Sequence, residues 1–113
     1  MKQDVKKLWV DALESGKYEQ QMGSLRAGNR FCCLGVLCNL HAQAHPEIAS
    51  KQYHDNLYMG RSANLPTEVM EWAGLTVDIG DPVCIGGWGS TLTGQNDVGR
   101  TFQEIAKAIK EQL

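Results

Sequence analysis

The sequence has no long apolar run and no excess of charge of either sign. Its 113 residues carry 11 lysines and arginines against 13 aspartates and glutamates, a formal net charge of −2. A basic face that binds a phosphate backbone is therefore not expected, which argues against nucleic acid as a partner. No apolar stretch approaches the roughly 20 residues that span a bilayer, and the first residues do not resemble a signal peptide. We expect a cytosolic protein without a membrane partner.

A disulfide framework is also missing from the sequence. Cys32 and Cys33 are adjacent, Cys38 follows on the same predicted helix, and only Cys84 is remote. Neighbouring cysteines cannot easily pair with each other, and no secretion signal indicates an oxidising compartment. We therefore expect four reduced thiols, most of them acting as small buried apolar side chains.

Two kinds of chemistry remain alternatives at these thiols. Cys38, His41 and His45 are spaced i, i+3 and i+7, so a helix would place them on one face as zinc ligands. The paired Cys-x2-Cys knuckle of structural zinc sites is absent, however. Cys32 or Cys33 at a helix N-terminus would be a thiol nucleophile, because the helix dipole stabilises a thiolate. Buried free cysteine is the commoner arrangement. We therefore predict no metal, no cofactor and no catalytic residue.

The chain is organised around the uncharged run from Phe31 to Cys38. Leu34, Leu37 and Cys38 repeat at helical spacing, and other apolar residues of the run form a second face. A helix that is apolar on most sides is covered by other elements. We predict a buried central helix over about residues 33–44. The predicted fold class is α+β, with three to four helices packed around this helix and a small antiparallel sheet. Residues 1–113 are predicted to form a single globular domain.

Three amphipathic helices are predicted around the central one. Residues 2–14 carry an apolar stripe that includes Leu8, and residues 66–73 carry a second. The last helix begins at Thr101, because its spacing from Glu104 is the signature of a capping box. The intervening polar segments are predicted to hold short strands and loops.

Polar and aromatic residues in the predicted loops are the candidates for ligand binding. The glycines around Trp88 expose backbone amides beside a ring on which a base can stack. Arginines in turns can meet phosphate oxygens bidentately, although each is also an ordinary solvated surface residue. Asn96 and Asp97 precede the last helix, where a ribose or base contact is the alternative to a capping role. The predicted ligand-binding residues are Tyr18, Gln20, Arg26, Arg30, Trp88, Asn96, Asp97 and Arg100.

Four segments of the chain occur in an order that resembles one group of proteins. They are Trp9 to Gln20, Phe31 to Cys38, Leu65 to Leu75, and Asn96 to Ala106. The cysteine run and the late Asn96-Asp97-x-Gly99-x-Thr101 element are the most specific of them. Together they are similar to small bacteriophage-encoded proteins, most of which are uncharacterised. The histidines do not belong to this pattern, and positions 47–63 and 76–90 add nothing to it.

The resemblance implies an accessory protein that acts on the host from the host cytoplasm. One class of such phage proteins is the anti-defence sponge, which sequesters a nucleotide immune signal such as a cyclic ADP-ribose isomer or a cyclic dinucleotide. The resemblance therefore implies a non-enzymatic homo-oligomer that binds a nucleotide-like small molecule. A phage inhibitor that binds a host enzyme directly is the first alternative. A small enzyme that degrades a nucleotide signal is the second.

Overall fold

The computed structural model describes residues 2–22, 24–47, 53–54, 57–60, 66–75, 84–85, 90–91 and 99–112. The helices in these ranges include α1 (Gln3–Glu14), α2 (Cys33–Ala44), α3 (Thr67–Ala73) and α4 (Phe102–Gln112). The first strands are β1 (Glu19–Gln20), β2 (Arg26–Ala27) and β3 (Arg30–Phe31). They are followed by β4 (Tyr53–His54), β5 (Leu57–Tyr58), β6 (Cys84–Ile85) and β7 (Ser90–Thr91). The predicted α+β class is confirmed.

The central helix α2 spans the range predicted from the apolar run. All residues from Phe31 to Cys38 are buried, as is Ala42 in its later turns. Cys32 precedes the helix as its N-cap, where its Sγ accepts a hydrogen bond from the Gly35 amide at 3.3 Å. The helix is apolar on most sides because other helices and the small sheet cover it.

The flanking helices bury one face each. α1 packs against both α4 and α2, and α3 packs against α2. Trp9 of α1 is fully buried and donates its indole N–H to the Cys33 carbonyl at 2.9 Å. The prediction was wrong for Leu8, which is 51% exposed, whereas Val10 is buried. The buried stripe is displaced because α1 is covered by two helices rather than one.

The ends of the outer helices follow their sequence signals. The Glu104 amide donates to the Thr101 hydroxyl at 3.2 Å, and the Thr101 amide donates to the Glu104 carboxylate at 3.2 Å. This is the reciprocal capping box predicted for α4. The backbone hydrogen bond from Thr101, followed by the bond from Arg100, lowers the pKa of Glu104. Gly74 ends α3 in the left-handed conformation, with φ of 73°.

The sheet beside α2 is mixed, which corrects the prediction of an antiparallel sheet. β3 lies in the centre, antiparallel to β2 and parallel to β1. A parallel pair arises because the chain reaches β3 from β1 through a third strand rather than through one tight turn. The pairs β4–β5 and β6–β7 are antiparallel two-stranded ribbons. No helix in the described part of the chain is long and apolar enough to cross a membrane.

Gly35 allows the segment between β1 and β2 to touch the start of α2. A Cβ atom at this position would lie 1.7 Å from the Leu25 carbonyl oxygen and 2.7 Å from its carbon. The same Leu25 oxygen accepts a hydrogen bond from the Cys32 amide at 3.2 Å. The glycine is therefore needed for close backbone approach and not for an unusual backbone angle.

We expect Gly35→Ala to lower the free energy of unfolding by at least about 2 kcal/mol, because backbone atoms must move to admit the methyl group. The matched control is Gly16→Ala, where the space is open but φ is +76°. That change should cost about 1 kcal/mol through backbone strain alone. Urea denaturation followed by circular dichroism measures both. An equal or smaller loss for Gly35→Ala would contradict the close contact.

Candidate functional site

Five of the eight predicted ligand-binding residues fall within the described structure, on or beside the three-stranded sheet. Trp88, Asn96 and Asp97 lie outside the described residues. The other five are Tyr18, Gln20, Arg26, Arg30 and Arg100. These five residues thus lie on or near one sheet, but their side chains do not all face the same point.

One cross-strand row carries two of the predicted residues. Gln20, Phe31 and Arg26 are register partners across β1, β3 and β2. The Arg26 guanidinium lies 5.3 Å from the centroid of the Phe31 ring, and its Nε donates to the Gly28 carbonyl at 2.8 Å. The Gln20 amide donates to the Arg100 backbone carbonyl. This row therefore joins the sheet to the segment that precedes α4.

The other two arginines form exposed ion pairs. Arg30 lies 3.6 Å from Glu19 in the neighbouring register row, and Arg100 lies 3.0 Å from Glu104. Both side chains of the Arg30 pair are more than half exposed, at 62% and 76%. Exposed ion pairs of this kind contribute little free energy, so an incoming anion displaces them at small cost.

Tyr18 borders a cleft that we call the Tyr18 cleft. Its volume is about 330 Å³, and its walls are the C-terminal half of α1, the segment before β1 and the C-terminal half of α2. The ring of Tyr18 meets the Phe31 ring edge-on at 5.2 Å. Its hydroxyl accepts a hydrogen bond from the Asn39 amide at 2.8 Å. Both contacts hold the tyrosine ring in place at the wall.

The Tyr18 cleft combines an apolar floor with polar groups. Ala12 and Leu40 are the apolar lining, and Asp11, Lys17 and Gln43 are polar. The carboxylate of Asp11 pairs with a neighbouring lysine at 3.2 Å. Neither the Lys17 ammonium nor the Gln43 amide forms a hydrogen bond with any other described residue. A bound molecule would therefore meet one cation and one amide that need not first break a protein contact.

Sequence reasoning missed a buried polar cluster at the other side of α2. His41 is only 4% exposed, and its Nδ1 lies 2.6 Å from the Tyr58 hydroxyl. His45 stacks on His41 at a centroid distance of 4.3 Å, and Trp72 meets His41 edge-on at 5.3 Å. The i, i+4 spacing of the histidines was visible in the sequence, but it gave no sign of Tyr58 as the partner.

Burial explains the protonation states in this cluster. It raises the pKa of Tyr58 to about 12, with smaller contributions from Cys38 and Glu68. Burial, followed by repulsion from His45, lowers the pKa of His41. Both groups are therefore uncharged at neutral pH, and the hydrogen bond runs from the tyrosine to Nδ1 when the histidine proton is on Nε2 and in the opposite direction when it is on Nδ1. His45 Nδ1 lies 2.9 Å from the His41 carbonyl. Among the described residues, no three or more His, Cys, Asp or Glu are grouped to hold a metal ion.

The three described thiols are enclosed in the core. Cys32, Cys33 and Cys38 are each at most 1% exposed. Burial, followed by repulsion from Cys32, raises the pKa of Cys38 well above its ordinary value. Cys32 does cap α2, as a thiolate nucleophile would require, but it is only 1% exposed, whereas reactive cysteines are partly accessible.

A family described as a domain of unknown function (DUF8296) matches residues 1–113. The chain belongs to this family. A comparison with curated proteins found no match, and a comparison with solved structures found none. The family assigns no activity, so a functional proposal depends on the clefts and clusters described above.

We expect the three buried thiols to react slowly with dithiodipyridine at neutral pH and at once in denaturant. The reason is that the reagent must wait for the core to open. Mass mapping of the labelled peptides separates these cysteines from Cys84. Rapid labelling of Cys32 in the native protein would contradict its burial and restore the thiol-nucleophile alternative.

Proposed function

We propose that this protein binds a nucleotide-like small molecule and holds it unchanged, as an anti-defence accessory protein of a bacteriophage in the host cytoplasm. The observation that carries the proposal is the Tyr18 cleft. Its volume of about 330 Å³ falls at the lower end of the range of small-molecule sites. It joins an aromatic wall and apolar floor to a few polar groups, the usual composition of such sites.

The cleft suits the heterocycle of a nucleotide. A tyrosine ring held by two contacts is a stacking surface that any base can use, and base stacking is tolerant of sequence. The amide of Gln43 can donate to and accept from the edge of a base. The Lys17 ammonium supplies a point charge for a phosphate.

Further phosphate contacts are available on the sheet next to the cleft. Phe31 touches both Tyr18 and the guanidinium of Arg26, so this arginine is two ring contacts away from the cleft wall. Arg30 lies in the adjacent row, in an exposed ion pair that an anion can replace. A molecule with two or more phosphates would span from the cleft to these arginines.

Sequestration requires affinity for the ground state alone, and so it needs no acid–base pair. A second copy of the chain over the open cleft would enclose the ligand, which is the reason to propose a homo-oligomer. The candidate ligands are a cyclic ADP-ribose isomer and a cyclic dinucleotide.

The test is to incubate the purified protein with these signals, remove unbound ligand by gel filtration, and denature the protein by heat. Chromatography then identifies what is released. Intact signal is expected. An altered product would replace the proposal with a degrading enzyme, and the absence of any retained signal would refute it in favour of direct inhibition of a host protein.

Variants then locate the site. Tyr18→Ala should weaken binding by about tenfold or more, the effect of losing one stacked base. Tyr18→Phe keeps the ring and should bind nearly as well as the parent. Lys107→Ala, on the exposed face of α4, is the control. Asn96→Ala and Asp97→Ala test the residues outside the described structure. Unchanged binding by Tyr18→Ala would show that the cleft is not the site.

A further inference from the structure

The β4–β5 hairpin is held to the rest of the molecule through Tyr58. Each strand has two residues, and an isolated two-stranded ribbon is at best marginally stable. Tyr58 is 1% exposed, whereas its neighbour Leu57 is 36% exposed. Met59, which follows, also packs against the core, with φ of 50°. The position of the hairpin therefore depends on the pocket that receives the tyrosine.

That pocket contains a histidine in a site that does not suit a positive charge. Two titratable groups from α2 and its C-cap lie near the Tyr58–His41 pair: Cys38 acts on Tyr58, and His45 acts on His41. From α3, Trp72 contacts His41 with an uncharged ring, and Glu68 acts on Tyr58. The titratable neighbour that acts on His41 among the described residues is His45, and repulsion between the two rings opposes protonation of His41.

In the tautomer with the proton on Nε2, protonation of His41 would reverse its hydrogen bond with Tyr58, whose hydroxyl would have to accept instead of donate. An imidazolium carries N–H donors on both nitrogens, so Nδ1 would turn a donor toward the tyrosine hydroxyl at 2.6 Å. The tyrosine does not ionise in this range, because burial raises its pKa to about 12. The new cation would also lie against His45 at 4.3 Å in a site that burial shields from water. Movement of the hairpin away from α2 relieves all of these costs by admitting water.

We propose that His41, Tyr58 and His45 form an acid-sensitive latch, which holds the β4–β5 hairpin on α2 at neutral pH and releases it in mild acid. The latch residues His41 and His45 lie on the face of α2 opposite to the residues that line the Tyr18 cleft. The latch therefore does not depend on whether the cleft binds a nucleotide.

The sign follows from the proton balance of the two states. Hydration of His41 in the open state brings its pKa back toward the ordinary value of 6.5, whereas burial lowers the pKa in the closed state. The closed state therefore binds fewer protons. Its stabilisation is fully present above pH 6.5 and is lost as the pH falls from there toward the lowered pKa of the closed state.

The test uses Cys38 as a reporter of hairpin release. Its thiol is buried, and it lies near enough to Tyr58 to contribute to the raised pKa of the tyrosine. The full chain is labelled with dithiodipyridine, whose reactivity persists in mild acid, at about pH 7.5 and about pH 5.5. Fragment-ion mass spectrometry of the peptide that carries both residues gives the ratio of Cys38 to Cys33 labelling, and labelling in denaturant corrects for intrinsic reactivity. Cys33 is the internal control, because it is the first residue of α2 and its carbonyl accepts a hydrogen bond from Trp9 rather than facing Tyr58.

We expect the corrected ratio to rise at least about threefold on acidification of the parent protein, as selective opening near Cys38 requires. His41→Gln, which cannot titrate, should show no rise. Tyr58→Phe lacks the hydroxyl and should label Cys38 faster already at pH 7.5, with a smaller further rise. An unchanged ratio in the parent, or an equal rise in His41→Gln, would overturn the latch.

A second measurement holds even where a variant fails to fold. The ¹⁵N chemical shifts of the imidazoles in the parent protein should show the Nε2–H tautomer of His41 at neutral pH. Its loss should occur over the same pH range as Cys38 labelling. Titration of His41 without any change in the amide signals of β4 and β5 would refute the proposed coupling.

Discussion

The contact between Gly35 and the Leu25 carbonyl positions the sheet against the central helix. Because Gly35 has no side chain, the chain before β2 can lie directly on the first turn of α2. The Cys32 amide donates a hydrogen bond to the same carbonyl, which also holds the segment at Leu25 against α2. β2 follows Leu25 at once and pairs with β3, which leads into α2. The sheet, Phe31 and the wall of the Tyr18 cleft therefore depend on one close backbone approach.

Helices could be predicted from this sequence more accurately than strand pairing. The apolar run at residues 33–38 and the capping box at Thr101 are local signals, and α2 and α4 lie where those signals placed them. Strands of two residues are too short to show alternation, so neither their pairing nor the parallel direction of β1 was readable. The exposure of Leu8 depends on which helices cover α1, a tertiary property that no local pattern contains.

The candidate sites divide in a similar way. Tyr18 and the arginines of the sheet were predicted as ligand contacts; Tyr18 lines the cleft, whereas Arg26 lies over the Phe31 ring and Arg30 pairs with Glu19. The cluster around His41 was beyond prediction, because Tyr58 lies 17 residues away on a hairpin whose position comes from packing. The same histidine spacing that suits a zinc ligand pair also suits a stacked pair with one buried member.

The packing of α1 against α4 also has a consequence for the order in which the protein folds. The Lys110 backbone carbonyl accepts a hydrogen bond from the Lys6 ammonium, 104 residues earlier in the sequence. The Lys110 ammonium forms an ion pair with the Glu14 carboxylate, 96 residues earlier. Closing so long a loop costs conformational entropy, so we expect α1 and α4 to pair after the local contacts within each helix have formed.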